Sequence, residues 1–383
     1  MPEQLHMYDR RMFNSSRFAC ARKRKGLTKS ALATLLGVEL RSVSAYESGD
    51  TVPRREVLAR IIEVTGFPPE FFSGDDLEEP TPDAVSFRAM TKMTARQRDM
   101  ALTQGTICIH LGKFIEERFE LPKVDIPDLS YESTPEAASE TLRRHWGIGA
   151  LPVHNMIHLL EARGTRVFSL AIDAREVDAF SMWRSETPMV FLNTFKTSEH
   201  SRYDAAHELG HLVLHRHAQP HGPQAEREAN AFASSFLMPR SSVLAHARRN
   251  PTFDELVKLK KIWKVSVAAL NYRLHTVGLT SDWLYRNLCI EIAKYGREQE
   301  PNEIPRETSQ LLPKIFAALQ EDTLSRSDVA RALAIPRSEI EQLMFGLTLT
   351  ALEGGRKGMG SARPQRSQLR LVGAKEMGTI SRN

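Results

Sequence analysis

The chain has 383 residues, 41% apolar and 26% charged, with 52 Lys and Arg against 47 Asp and Glu. Such a length exceeds one ordinary domain and predicts two or three domains built on real cores. No apolar run reaches about 18 residues, no apolar leader opens the chain, and Cys20, Cys108 and Cys289 lack metal-like or disulfide-like spacing, which argues against a membrane span, against secretion and for a reducing cytosol.

The charge is uneven. Residues 1–60 carry 12 Lys and Arg against six Asp and Glu, the imbalance of a nucleic-acid face. Within them, Thr28 can cap a helix holding Leu32, Leu35 and Leu36 at helical spacing. Gly37 ends that helix with a left-handed turn, and Val38 plugs the core. A second helix follows, with Val43 and Tyr46 inward, Arg41, Ser42 and Ser44 outward, and Gly49 as its stop. Two helices around a short glycine turn make a helix-turn-helix, whose second helix enters the major groove. Arg41 suits guanine; Ser42 and Ser44 suit base or phosphate; Lys29 and Ser30 suit phosphate. With Tyr46, these residues are the candidate DNA contacts. The stretches "RKGLT", "LATLLGV" and "VSAYESG" with Pro53 resemble the lambda-repressor-like (Xre-type) helix-turn-helix family over about residues 12–72. That resemblance implies about five helices and a dimer on palindromic double-stranded operator DNA.

A Gly, Pro and acidic cluster near residues 73–84 marks a boundary. Residues 91–120 read as one amphipathic helix with Leu102, Ile109 and Phe114 on its stripe. Three prolines in residues 122–135 suggest a second linker, and residues 135–164 two more helices. "TRVFSLAI" alternates as a half-buried strand does, and "DAFSMW" and "PMVFLN" around "RSET" read as a hairpin.

The helix "TSEHSRYDAAHELGHLVLHRH" then places His207 and His211 at i and i+4, on one side and one turn apart. Two imidazoles so placed can bind one ion, with Glu208 between them as general base: the HExxH pattern. Zinc brings the pKa of water it binds to about 7, so a carboxylate can take the proton at neutral pH. A second helix, 224–239, packs through Ala229, Phe232, Ala233, Phe236 and Leu237. It offers Glu226 as third ligand, with Glu228, about 160° away around the helix, as the rival. Asn230 is the candidate to hold a ligand histidine. His215, His217 and His221 read as ordinary structural histidines; each, like Tyr203, is a candidate oxyanion donor that spacing does not single out.

"FLNTFKTSEHSRYDAAHELGHLVLH" and "EREANAFASSFLMP" resemble the ImmA/IrrE family of zinc metallopeptidases over about residues 150–275. The resemblance implies a minimal thermolysin-like fold, Zn2+ on His207, His211 and Glu226, and Glu208 as base. Members cut or inactivate Xre-type repressors and so relieve repression in stress, phage or mobile-element responses. This implies a bacterial cytoplasmic, nucleoid-associated protein. Longer members with an Xre domain act as transcription factors themselves.

Residues 253–297 read as amphipathic helices. "LSRSDVARALAIPRSEIEQLMFG" (324–346) then aligns without gaps on residues 27–49, which predicts a second helix-turn-helix shape. Glu339 and Glu341 stand where Ser42 and Ser44 stand, on its outer face. Carboxylates repel phosphates, so packing or dimerisation suits this repeat better than DNA reading. The expected fold is mainly α with a small β-sheet (α+β). Its parts are a DNA-binding domain (1–74), a helical linker (75–134), a metallopeptidase domain (135–250), a helical C-terminal domain (251–350) and a basic tail (351–383) read as disordered. Three functions compete. One is a DNA-bound metallopeptidase that cleaves itself, for example near residues 73–84, or a separate Xre-type repressor. The second is a transcription factor with a non-proteolytic sensor domain. The third, an unrelated zinc hydrolase, fits two such modules least.

Overall fold

The computed structural model describes residues 13–80, 86–87, 94–170, 179–217, 222–294 and 299–348. His221 and the tail lie outside these residues, as do residues 171–172 of the expected 165–172 strand and residues 91–93 of the expected 91–120 helix. The N-terminal module holds α1 (Ser15–Arg24), α2 (Lys29–Leu36), α3 (Leu40–Ser48), α4 (Arg55–Thr65) and a 3-10 turn over Pro69–Ser73. Thr28 caps α2 by accepting from the Ala31 N–H at 3.0 Å, and Gly37 closes it at φ +66°. Arg60 donates to the Leu36 carbonyl at 2.8 Å, which satisfies an orphan group at that end. Phe18, Leu32, Leu36, Val43, Ile61, Phe67 and Phe71 fill the core. Leu35, expected on the buried stripe, is 54% exposed. In a two-turn helix Leu32, Ala33 and Leu36 already cover the inner face, and position 35 rotates to solvent.

α5 (Ala95–Glu116) starts at a capping box between Thr94 and Gln97. It is buried on nearly every side from Ala101 to Ile115, rather than along one stripe. α1 packs on one part of it. Gln104 donates to the Ser169 carbonyl at 2.8 Å, and Gly105 lies against Phe180. A helix with protein on both sides has no solvent face to mark its period. The helix expected within the helical linker is thus present, and it packs centrally, against α1 and the sheet. The proline-rich stretch after it is tied down too, by Leu129 N–H to Val213 and Asp125 N–H to Arg163.

α6 (Pro135–His145) and α7 (Met156–Ala162) lead into a four-stranded sheet of β1 (Ser86–Phe87), β2 (Arg166–Ser169), β3 (Ala179–Arg184) and β4 (Thr187–Leu192), in the order β1-β3-β4-β2. β2 runs parallel to β4; β3 and β4 form the expected hairpin, turning at Ser185 with φ +51°. β2 and β4 are buried beyond their first residue instead of alternating. Neighbouring residues in a strand face opposite sides. Phe180 meets α5, whereas Ser181 meets α8 (Ser198–Leu214), so the sheet is covered twice.

The chain continues through α9 (Pro223–Leu237), α10 (Arg240–His246), α11 (Phe253–Trp263), α12 (Val267–Thr276), α13 (Asp282–Ala293), α14 (Leu311–Glu321), α15 (Arg326–Ala332) and α16 (Arg337–Met344). The second helix-turn-helix shape is present. Ser325 caps α15 with Asp328; Ala330, Leu333, Ile335 and Ile340 are buried; Gly346 is left-handed, as is Gly49. Ala334 takes φ +53° where the first copy has Gly37. Glu339 does not face outward as expected. It is 1% exposed and paired with Arg24 of α1 at 2.7 Å, while Glu341 stays outside with Arg337. α16 also contacts β2. The repeat is a packing element that clasps the N-terminal module.

Candidate metal centre and nucleic-acid face

α8 carries its two histidines inward at the point where α9 comes closest. Gly210 permits that approach: a Cβ there would sit 3.1 Å from Phe232 Cδ1 and 3.2 Å from Ala229 Cα. With the two backbones so near, the first turn of α9 brings Glu226 to the histidines. His207 Nε2 and His211 Nε2 are 3.1 Å apart. Glu226 Oε2 lies 3.4 Å from the first and Oε1 3.3 Å from the second. Among the described residues these three form the one His/Cys/Asp/Glu group of metal-binding spacing, with donor atoms within 4.8 Å of one another.

A tetrahedral zinc ion with bonds of about 2.1 Å needs donors about 3.4 Å apart. The observed 3.1–3.4 Å edges and the N, N, O donor set fit that ion. His207 and His211 are buried, and the Glu226 side chain keeps 21% exposure as the open side. Burial pushes the His211 imidazole down to about 4 despite Glu226 beside it, so it is neutral near pH 7, as a ligand must be.

Glu208 is buried next to the pair, and Ser181 Oγ from β3 donates to its Oε2 at 2.7 Å. Nothing local in the sequence linked position 181 to 208; the strand–helix contact does. Asn230 does not hold a ligand histidine as expected. Its amide donates to the Glu226 carbonyl at 2.7 Å, and its own carbonyl accepts from Tyr203 Oη at 3.0 Å. These bonds brace the backbone that carries Glu226.

Glu228 points away from the three-residue group, to His215 Nε2 at 2.9 Å. His215 Nδ1 in turn lies 3.1 Å from His211 Nδ1. So His215 is part of a chain ending on the candidate metal group, which the reading as an ordinary histidine missed. The i, i+4 spacing of 211 and 215 was the available signal. His217 is outside it, exposed beside Asp128 at 3.5 Å.

On the N-terminal module, Arg41 projects from α3 with an 85% exposed side chain, beside Glu39. Ser42 and Ser44 are half-buried on the same helix, and Ser30 is exposed at the start of α2. Lys29 pairs with Glu47 at 3.0 Å, and Glu47 also holds Arg22. Tyr46 leaves the candidate contact set. It is buried, with its ring edge-on to Phe18 at 6.2 Å, and it supports α3 from within.

Residues 16–71 match a helix-turn-helix domain family, and residues 160–275 match the peptidase M78 family, described as the IrrE N-terminal-like domain. No curated protein matches the chain. The two matches cover the two sites and fit a DNA-binding regulator with a protease-like domain of metallopeptidase-type fold. Among the described residues no helix is long and apolar enough to cross a membrane.

Proposed function

From a helix-turn-helix domain joined to an IrrE N-terminal-like domain in one chain, we propose a transcriptional regulator that is also a zinc metallo-endopeptidase. It binds double-stranded operator DNA as a homodimer through Lys29, Ser30, Arg41, Ser42 and Ser44. It cleaves an Xre-type repressor, or another copy of itself, and so relieves repression in a stress, phage or mobile-element response in the bacterial cytoplasm.

The observation that carries this reading is Glu208, oriented by Ser181 beside His207, His211 and Glu226. The two histidines and Glu226 would hold Zn2+, which supplies Lewis acidity to a peptide carbonyl and to water. Glu208 then takes the proton of the attacking water and passes it to the leaving amine. A site with these groups buried excludes competing water and strengthens each charge interaction.

The boundary after the DNA-binding module is a poor cis substrate in this state. Arg17 donates to the Asp75 carbonyl at 2.6 Å, Asn14 donates to Gly74 and Asp76, and Glu78 pairs with Arg184 and Lys113. A peptide tied at so many points cannot extend into a cleft, which favours cleavage in trans. The burial of Glu208 favours one second reading: a transcription factor whose domain holds metal as a sensor and does not turn over.

The test is to incubate the zinc-loaded protein with a co-encoded Xre-type repressor, with and without operator DNA, beside Glu208→Gln. Fragments with the native protein and none with the variant support the peptidase. Intact DNA binding without fragments in any mixture leaves the sensor.

A further inference from the structure

β3 is the strand next to the catalytic-base candidate, through the bond from Ser181 to Glu208. Along its edge away from β4 it pairs antiparallel with β1, in the register Ser86 to Ser181 and Phe87 to Phe180. Without β1 the sheet would end at β3, whose outer N–H and C=O groups would face a peptide without partners. An extended peptide adds to such an edge by main-chain hydrogen bonds. In this chain the place is filled by residues that follow the DNA-binding module.

Two further contacts line the same segment up along β3. Glu78 pairs with Arg184, at the end of β3, at 2.9 Å, and with Lys113 of α5 at 2.9 Å. Pro80 sits over Gly105, where a Cβ would come within 2.8 Å of Pro80 Cγ and 3.6 Å of Phe180 Cζ. Glu78 thus anchors the segment at the Arg184 end of β3, and Pro80 anchors it near Phe180. Asp75 and Asp76, a few residues earlier, are tied to α1.

We propose that the outer edge of β3 is a binding edge for an extended peptide, and that Ser86 and Phe87 occupy it in cis as an autoinhibitory strand. A peptide in trans must displace them to lie beside Glu208. Since the same segment is tied to α1, movement of the DNA-binding module is the event that frees the edge. The inhibitory consequence rests on the peptidase reading; occupancy of the edge does not.

The test uses the full zinc-loaded chain in a Glu208→Gln background, so that cleavage plays no part. Neighbouring N–H groups of a strand point to opposite edges, so Ser86→Pro with Phe87→Pro removes whichever of the two donates to β3. Amide hydrogen exchange at Phe180–Ser181, the β3 residues opposite β1, should quicken at least tenfold in this double variant, while residues 189–192, paired on both sides, stay protected. A fluorescein-labelled peptide with the sequence of residues 80–92 should bind the double variant at least tenfold more tightly than the parent, by anisotropy. Equal exchange in the two proteins overturns occupancy of the edge. Equal peptide binding, including none by either, overturns the edge as a binding surface. The native Glu208 protein is then assayed for fragments of the repressor. Release of the edge with no fragments keeps the binding edge and sinks the peptidase. Fragments made equally fast by the parent and the double variant sink autoinhibition.

Discussion

His215 Nε2 stands 2.9 Å from Glu228 Oε2, and the other nitrogen of His215 stands 3.1 Å from His211 Nδ1. A carboxylate can only accept, so His215 carries its proton on Nε2 and offers a lone pair at Nδ1. His211 must then donate from Nδ1, which leaves its Nε2 lone pair facing Glu226 and His207. The two residues set aside by the sequence reading, one as a structural histidine and one as a rival ligand, together set the tautomer of His211, a proposed ligand. Glu228→Ala should weaken zinc binding by about 10–100-fold. Glu228→Gln can still accept from His215 through its amide oxygen, and should keep most of the affinity. Competition with a chromogenic chelator measures both. A loss in Glu228→Ala as complete as in Glu226→Ala would instead make Glu228 a ligand.

Gly210 is the point where α9 can approach α8, with Ala229 Cα 3.2 Å from the place of a Cβ. Gly210→Val should force the helices apart and move Glu226 off the histidines. An overpacked core of this kind costs about 1–3 kcal/mol. Zinc occupancy, by metal analysis after dialysis, should fall together with the unfolding midpoint. A stable variant with full occupancy would show that the approach is not needed.

Arg41 and Tyr46 should separate recognition from support. Arg41→Ala removes an exposed guanidinium and should cost operator binding about 1–3 kcal/mol with no change in stability. Tyr46→Ala opens a cavity under α3 and should destabilise the module by about 3 kcal/mol before any base contact is lost. Fluorescence anisotropy on operator DNA and thermal melts of the same samples check the pair.

The Arg24–Glu339 pair joins the first and last helical modules at 2.7 Å, with both side chains buried. Removing one partner strands the other charge, so Glu339→Leu should destabilise by about 3–5 kcal/mol. Arg24→Met added to it should recover much of the loss, because an apolar pair needs no compensation. Denaturant midpoints of the two variants test this. An unchanged midpoint in the single variant would show that the clasp does not hold.

Acid should loosen the metal-free protein through His211. Its imidazole titrates at about 4 in the folded chain and near 6.5 when unfolded. Between those values the unfolded chain binds a proton that the folded chain refuses. Stability therefore falls as pH drops from about 6.5 to about 4, by up to about 3 kcal/mol, and is untouched above that window. Melts in EDTA across this range should slope less in His211→Gln. Parallel slopes would assign the loss to other groups.

The sequence alone determined whatever repeats within one or two helical turns. Thr28, Gly37, Val43 and Gly49 announced the helix-turn-helix because capping, a left-handed turn and a buried face are local requirements. His207, Glu208 and His211 announced a metal because i, i+4 spacing puts two rings on one side of any helix. Tertiary structure decided everything that depends on which other segment lies opposite. Glu226 and Glu228 are both acidic and two residues apart; the close contact at Gly210 turns the first to the histidines and the second to His215. Ser181 meets Glu208 only because β3 passes under α8. α5 hides its period because protein covers it on both sides. Glu339 reads as an outward carboxylate until Arg24, 315 positions away, is brought against it.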